Sequence, residues 1–160
     1  MYAILETNHN DEKESAMPHT KLLRILAICL HLFIGIGAIA GGYAAVSNPL
    51  NPLGAPAEML KNGPFDNFLI PGLFLMIVLG FGNVMAGVLA LLKHKWWEYA
   101  TGAMGDTLIL WIVIQCVILG TIEALHVIFF LLGVLLGAIA LYTMYKGRKF
   151  PFDQNSPALK

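Results

Sequence analysis

The sequence predicts an all-α, polytopic membrane protein: an antiparallel bundle of four transmembrane helices with both termini in the cytoplasm. The first observation is composition, since hydrophobic residues make up 58% of the 160 residues and charged residues only 12%. The surface of a soluble domain needs far more charge than this. The second is that the apolar residues form four long blocks. The third is that basic residues cluster beside alternate ends of these blocks, as cytoplasmic segments of membrane proteins do.

Each apolar block is predicted to be a membrane-spanning helix, because a bilayer requires about 20 consecutive apolar residues. The predicted helices are residues 22–46, 68–92, 100–120 and 125–145. They form a transmembrane domain of residues 21–146. The connections after the second and third blocks are short, and short connections favour antiparallel neighbours.

Polar segments precede and follow this domain. Residues 1–20 are predicted to be a flexible cytosolic tail, because an acidic run comes before any apolar core, unlike in a secretory signal. Residues 147–160 are predicted to be a second cytosolic tail. The basic residues that set the orientation are Lys21, Arg24, Lys93, Lys95, Lys146, Arg148 and Lys149. The positive-inside rule then places both termini in the cytoplasm, and we expect a plasma membrane location.

Small and polar residues recur on one face of each block, where they let neighbouring helices approach closely. On the first block these residues are Arg24, His31, Gly35, Ala38, Gly42 and Ala45. On the second they are Gly72, Met76, Gly80, Asn83 and Gly87. On the third they are Gly102, Asp106, Ile109, Val113, Cys116 and Gly120, and on the fourth His126, Phe130, Gly133, Gly137, Ala140 and Met144. We interpret these faces as helix-packing surfaces.

Three polar residues within the blocks are predicted to meet in one layer. Counted at about 1.5 Å per residue, His31, Asn83 and Asp106 lie roughly 9–13 Å from the cytoplasmic end. Polar groups at this depth are costly, so we expect a hydrogen-bonded cluster in the bundle core. The favoured interpretation is a polar staple that fixes helix register. The alternative is a ligand-binding or proton-linked site.

A second polar group, Gln115, Glu123 and His126, is predicted near the outer face. Glu123 and His126 are three residues apart and are therefore neighbours on a helix turn. A cap for the fourth helix is favoured over a metal site, because a metal would need more ligands. No metal site is therefore predicted.

Several functional classes are disfavoured. The net charge is zero, which argues against a nucleic-acid partner. Cys29 and Cys116 form no CxxC motif, which argues against a thiol oxidoreductase. His31 has no second histidine at matched depth, as a haem site between helices would need. No catalytic residue is predicted, so a non-enzymatic role is favoured, and the sequence identifies no cofactor.

Short motifs give the chain a family resemblance. The four-helix layout, Arg24, the glycine-rich first helix, Leu53-Gly54-Ala55-Pro56 and Ile70-Pro71-Gly72 followed by Leu79-Gly80 resemble the small bacterial tetraspan membrane proteins of the broad DoxX-like type. The resemblance covers most of residues 22–145. Members often carry an acidic residue near the start of the second helix, and residues 68–72 contain none.

The resemblance implies a structural or accessory subunit in a homo-oligomer or a larger membrane complex. Such a subunit would hold a lipid or quinone-like molecule between its helices. The alternative is a small four-helix, proton-coupled transporter that works as an oligomer. That type places a carboxylate in the middle of the first helix, where this chain has His31, and the embedded acid here is Asp106.

Overall fold

The described part of the chain is built from helices. The computed structural model describes the backbone of residues 2–152 and the side chains of residues 19–152. Its long helices are α1 (Tyr2–Ser47), α2 (Leu69–Leu91), α3 (Trp97–Leu119) and α4 (Ala124–Lys146). Each is long and apolar enough to cross a membrane, in α1 over His19–Ser47. The prediction of an all-α chain is confirmed for these residues, and the chain fits a tetraspan membrane protein.

One apolar core joins the long helices. It takes Ile34 from α1, Leu79 from α2, Leu108 from α3 and Leu136 from α4, and none of these side chains is more than 3% exposed. Each long helix thus contributes at least one residue to the centre of a helical bundle. Burial of such side chains is the main favourable term for packing in water, whereas in lipid it acts through close contact.

The contact between α1 and α2 is so close that only glycine fits. A Cβ on Gly42 would lie 2.7 Å from the carbonyl oxygen of Gly72, and a Cβ on Gly35 would lie 3.1 Å from that of Gly80. A later residue of α1 therefore lies against an earlier residue of α2. The small-residue faces predicted for these helices are confirmed, because these four glycines are all buried.

The middle of α2 departs from α-helical geometry. Residues Leu75–Phe81 form a π-helical stretch between the α-helical segments Leu69–Phe74 and Gly82–Leu91. Its i→i+5 hydrogen bonds widen the helix locally, and such stretches are frequent at functional sites. Nothing in the apolar pattern indicated it.

The contact between α3 and α4 corrects the predicted face of α3. Gly105 packs there, since a Cβ on it would lie 2.8 Å from the carbonyl oxygen of Gly133. Gly105, Leu108 and Ile112 are buried, whereas Asp106 and Val113 of the predicted face are exposed. Two members of the predicted face do pack on α4, since a Cβ on Gly102 would lie 3.4 Å from Ala140 Cβ, and a Cβ on Gly133 would lie 2.8 Å from Ile109 Cγ1. The prediction was wrong in centring the face on Gly102 and Asp106 rather than on Gly105. A three-residue step turns the face of a helix by about 60°.

Two ends of the bundle can be distinguished by their segments. The basic end carries the turn between α2 and α3 and the residues after α4; the loop end carries residues 48–68 and 120–123. At the loop end, the Phe68 N–H donates to the carbonyl of Pro49 at 2.9 Å and so closes the longest connection. Leu60, within this connection, is buried, so the connection folds onto the helices.

At the basic end, the residues after α4 pack on the start of α3. The Lys149 ammonium donates to both carboxylate oxygens of Glu98, at 2.7 and 2.8 Å. The Tyr99 hydroxyl donates to the carbonyl of Phe150 at 3.0 Å. The predicted tails lie outside the described side chains, apart from residues 19–20 and 147–152.

Candidate functional site

Three buried polar side chains from three helices form a hydrogen-bonded cluster, here called the His31 network. Nδ1 of His31 on α1 lies 2.8 Å from Oδ1 of Asn83 on α2. Nε2 of His31 lies 3.1 Å from Oγ1 of Thr101 on α3. All three side chains are fully buried. Gly87 makes room for the histidine, because a Cβ there would lie 3.3 Å from His31 Cβ.

The hydrogen-bond pattern assigns the proton on one ring nitrogen. The side-chain amide of Asn83 donates to the carbonyl of Leu79, one turn earlier, at 2.7 Å. Its oxygen therefore faces His31, and Nδ1 of the ring must carry the hydrogen that it donates. This tautomer is inferred from the network, as hydrogen positions generally are.

Thr101 allows the second ring nitrogen to exist in two states. Its hydroxyl lies 2.8 Å from the carbonyl of Trp97 as well as 3.1 Å from His31 Nε2, but it has only one hydrogen. With neutral His31, Thr101 donates to Nε2. With protonated His31, Nε2 donates to Thr101, whose hydrogen turns to Trp97. Both states therefore fit the same heavy-atom positions.

Asp106 is not part of this cluster. Its side chain is exposed, and no hydrogen bond or ion pair to it occurs within residues 19–152. Its Oδ1 lies 4.0 Å from the position of a Cβ on Gly137. The structure thus brings together His31 and Asn83 of the predicted three, with Thr101 as a member that the prediction missed. The available signal was that Thr101 lies one turn before Gly105, on the same face of α3.

A cavity lies between the four long helices and is here called the central cavity. Its volume is about 260 Å³. Its wall includes Gly37 and Gly41 of α1, Leu75 and Leu79 of α2, Trp111 and Gln115 of α3, and Leu125, His126 and Phe129 of α4. The atom nearest to a Cβ on Gly37 is Cζ of Phe129, 4.0 Å away. Missing side chains on this side of α1 therefore help to leave the space open.

Trp111, whose side chain lines the central cavity, carries a buried donor without a described partner. Its indole ring stacks on Phe74, with ring centroids 4.4 Å apart. The side chain is only 7% exposed, yet Nε1 is buried without a hydrogen-bond partner among the described residues. A buried donor that stays unpaired costs about 1–3 kcal/mol.

His126 lies in the same wall and also caps α4. Its Nδ1 accepts a hydrogen bond from the Glu123 backbone N–H at 3.0 Å, which confirms the predicted helix cap. A neutral imidazole that accepts at Nδ1 carries its hydrogen on Nε2. Of the predicted outer group, Gln115 and His126 both line the central cavity. The Glu123 carboxylate instead accepts from the Thr121 hydroxyl at 3.1 Å.

An open groove lies beside the cavity, between α3 and α4 on the outside of the bundle. Its volume is about 690 Å³, and its wall includes Ile112, Cys116, Val117, Thr121, His126 and Phe130. Ile112 and His126 line both this α3–α4 groove and the central cavity. The two spaces are therefore neighbours, separated by these side chains.

Comparison with protein-family models, with curated proteins and with solved structures finds no match to this chain. Within residues 19–152, no three His, Cys, Asp or Glu side chains come together as a metal site would require. The two regions are therefore interpreted from their own chemistry. The polar groups of the His31 network are paired within the chain, whereas the central cavity has a mainly apolar wall that also includes Gln115 and His126.

Proposed function

We propose that this chain is a small integral membrane protein that holds a lipid or quinone-like molecule between its helices. It would act as a structural or accessory subunit of the DoxX-like type in a bacterial plasma membrane. The observation that carries this proposal is the central cavity, about 260 Å³ in volume and lined by all four long helices.

The size and wall of the central cavity suit such a ligand. An apolar protein cavity of about 150 Å³ holds benzene, so this cavity has room for a substituted ring or the end of a chain. Ligand sites are typically apolar with a few polar groups that orient the ligand. Gln115 and His126 are such groups in this wall.

Charge supports an arrangement with both termini in the cytoplasm. Lys93, Lys95 and Lys149 all lie at the basic end, and cytoplasmic segments carry an excess of such residues. The helices would then run as an antiparallel bundle, with the loop end outside.

Asp106 supports assembly with a partner, either a second copy or another subunit. Its carboxylate is exposed near the middle of α3. A charged side chain at the centre of a membrane-spanning helix costs about 2.5–3.5 kcal/mol on insertion scales. A partner that covers Asp106 would remove that exposure to lipid.

The proposal is tested by native mass spectrometry of the protein released from lipid nanodiscs. We expect wild-type protein to retain a defined extra mass, and Gly37→Leu to lose it because the new side chain enters the central cavity. Ala138→Leu is the matched control, since it adds similar volume at an exposed position on α4. A bare wild-type protein, or equal retention by Gly37→Leu, would contradict the proposal.

One observation favours a second function, proton-coupled transport. The His31 network fits both protonation states of its histidine, as a proton carrier would require. Proteoliposomes with an imposed pH gradient separate the two functions. Substrate-dependent proton flux that disappears in His31→Gln would favour transport, whereas wild-type vesicles without flux would leave the binding role.

A further inference from the structure

We infer that the outer surface formed by Asp106 and the α3–α4 groove docks a transmembrane helix of another protein, and that this helix presents a Lys or Arg side chain to the Asp106 carboxylate. The inference rests on one part of the proposed function, namely that the chain is a subunit of a membrane complex. It adds the chemical class of the partner and the surface on which the partner lies.

The Asp106 carboxylate has no partner within the described chain. Its side chain is exposed, and within residues 19–152 it makes no hydrogen bond or ion pair. Asp106 follows Trp97, the first residue of α3, by nine residues and therefore lies roughly 13–14 Å along the membrane-spanning helix. Acidic side chains at such a depth generally pair with a cation or face a polar interior. Since the described residues supply neither, we expect a partner to bring the cation.

Small residues around Asp106 leave room for a long cationic side chain. Gly102 and Ala103 lie one turn earlier on α3. On α4, the nearest neighbouring atom to a Cβ on Gly137 would be Asp106 Oδ1 itself, 4.0 Å away. Small residues allow a neighbouring helix to approach closely. A Lys or Arg side chain from such a helix would therefore reach the carboxylate without displacing a bulky side chain.

The α3–α4 groove extends this surface toward the loop end. Val113 and Val117 line the groove and follow Asp106 by seven and eleven residues, so all three lie on one face of α3. The three side chains are exposed. The groove has a volume of about 690 Å³, and the described residues of its wall include no Lys, Arg, Asp or Glu. An apolar helix in this groove would bury its side chains there, while its single cation meets Asp106.

Charge argues against a second copy of this chain as the occupant. The described Lys and Arg residues lie near the ends of the spans or in the connections; they are Lys21, Arg24, Lys61, Lys93, Lys95, Lys146, Arg148 and Lys149. A copy in the same orientation would therefore place no cation at the depth of Asp106. Two Asp106 carboxylates brought together would instead repel each other. A different chain with a cation inside its span meets the requirement.

The test uses three synthetic transmembrane peptides of about 20 Leu and Ala residues, with a single Lys, Gln or Glu at the centre. Each peptide carries a fluorescence acceptor, and the full-length protein carries a donor at its C-terminus. Both are reconstituted in phosphatidylcholine vesicles, whose head groups have no net charge. Energy transfer is then titrated against the amount of peptide in the bilayer.

Two pairs of variants locate the contact. Asp106→Asn removes the charge, and Asp106→Glu keeps it. Val117→Trp places a large side chain in the α3–α4 groove. Val88→Trp is its matched control, because Val88 is also exposed but lies on α2, outside the wall of the groove.

We expect the Lys peptide to bind the wild-type protein about tenfold more tightly than the Gln peptide, because only the cation neutralises the carboxylate. The Glu peptide should bind most weakly. Asp106→Asn should reduce binding of the Lys peptide to that of the Gln peptide, and Asp106→Glu should restore it. Val117→Trp should weaken binding of the Lys peptide at least about threefold, whereas Val88→Trp should leave it unchanged.

The inference is overturned if the Gln or Glu peptide binds the wild-type protein as tightly as the Lys peptide, or if Asp106→Asn keeps tight binding of the Lys peptide. Unchanged binding in Val117→Trp would contradict docking in the groove. Energy transfer between two labelled copies of the wild-type protein that disappears in Asp106→Asn would assign the surface to a second copy and also overturn the inference. The comparison of peptides on the wild-type protein decides the matter even if a variant does not fold.

Failure of this inference can be distinguished from failure of the proposed function. If the peptides show no preference for Lys but native mass spectrometry finds a retained molecule that Gly37→Leu loses, the ligand-holding role survives and the docking surface is overturned. If the wild-type protein is bare but binds the Lys peptide through Asp106, the ligand-holding role is overturned and the docking surface survives.

Discussion

The His31 network and the wall of the central cavity each contain a buried ring side chain, His31 and Trp111, but only the ring nitrogen atoms of His31 have hydrogen-bond partners among the described residues. In the network, both ring nitrogens of His31 have partners, on α2 and on α3. In the wall of the cavity, Trp111 Nε1 has no described partner. The difference lies in the space between the helices: Thr101 reaches His31 across one gap, whereas the gap beside Gly37 is left open. Where the helices are in close contact, polar side chains pair with one another, whereas the gap beside Gly37 leaves space that no side chain fills.

The glycines of α1 illustrate the same contrast. A Cβ on Gly42 would meet backbone atoms of α2 at 2.7 Å, whereas a Cβ on Gly37 would find its nearest neighbour at 4.0 Å. Glycine is required at position 42 because the backbones of α1 and α2 approach closely there. At position 37, glycine instead leaves space in the central cavity.

The largest effect that we expect comes from Gly42→Ala. The new methyl group would meet the Gly72 carbonyl and the Met76 backbone at 2.7 Å, so the fold should lose about 3 kcal/mol. Gly37→Ala is the matched change and should gain about 0.5–1 kcal/mol from helix propensity. Thermal unfolding in micelles measures both. Equal unfolding temperatures for the two variants would contradict the distinction between the tight contact at Gly42 and the open space at Gly37.

The second prediction concerns the strength of the His31 network. In a double-mutant cycle of His31→Leu and Asn83→Leu, we expect a coupling energy of about 0.6–1.7 kcal/mol, the range found for hydrogen bonds between membrane helices. Steric trapping or reversible unfolding in mixed micelles gives the free energies.

Thr107→Val serves as the control for this cycle, because the Thr107 hydroxyl bonds only to the Ala103 carbonyl of its own helix. It should show no coupling with His31→Leu. A coupling as large as that of Asn83 would mean that the cycle does not report the network.

A smaller effect is expected from Lys149→Met at the basic end. It removes the partner of Glu98, whose side chain is 7% exposed, but the Lys149 side chain is 32% exposed and therefore screened by solvent. We expect a loss of about 1 kcal/mol. Lys146→Met is the control, since the Lys146 ammonium lies over the Tyr142 ring at 6.0 Å. Identical unfolding curves for the two variants would argue against a contribution from the ion pair.

The smallest effect is expected from Asp106→Asn. No described residue within 19–152 pairs with this carboxylate, so the unfolding temperature of the monomer in micelles should not change. Comparison with Asn83→Leu shows what the loss of a paired polar group does. A drop of similar size in both variants would reveal a structural partner for Asp106 and would weaken the contrast between buried and exposed polar groups.

Much of the fold was predictable because lipid imposes simple rules. Every backbone group must be paired within the membrane, so long apolar blocks become helices, and the observed α2 (Leu69–Leu91) and α4 (Ala124–Lys146) lie within two residues of the predicted bounds. The packing face of α1 followed from its small residues, since His31, Gly35, Ala38 and Gly42 are indeed buried.

The candidate sites were predictable only in part. His31 and Asn83 could be paired because both lie on small-residue faces at similar depth. On α3, however, Gly102 and Gly105 offered two possible faces, and the wrong choice brought Asp106 into the predicted cluster in place of Thr101. The outer group was recognised by residue type, but the sequence did not indicate that Gln115 and His126 would line one cavity together with Trp111.

The sequence by itself determined the class of the protein, the number of its long helices and the approximate bounds of α2, α3 and α4, because these depend on local composition and spacing. Only the tertiary structure decided the rotation of α3, the π-helical stretch of α2 and the central cavity. These features depend on how four helices share one interior, where a small turn of one helix exchanges a buried residue for an exposed one. A cavity is space that no residue fills, and no single stretch of sequence encodes it.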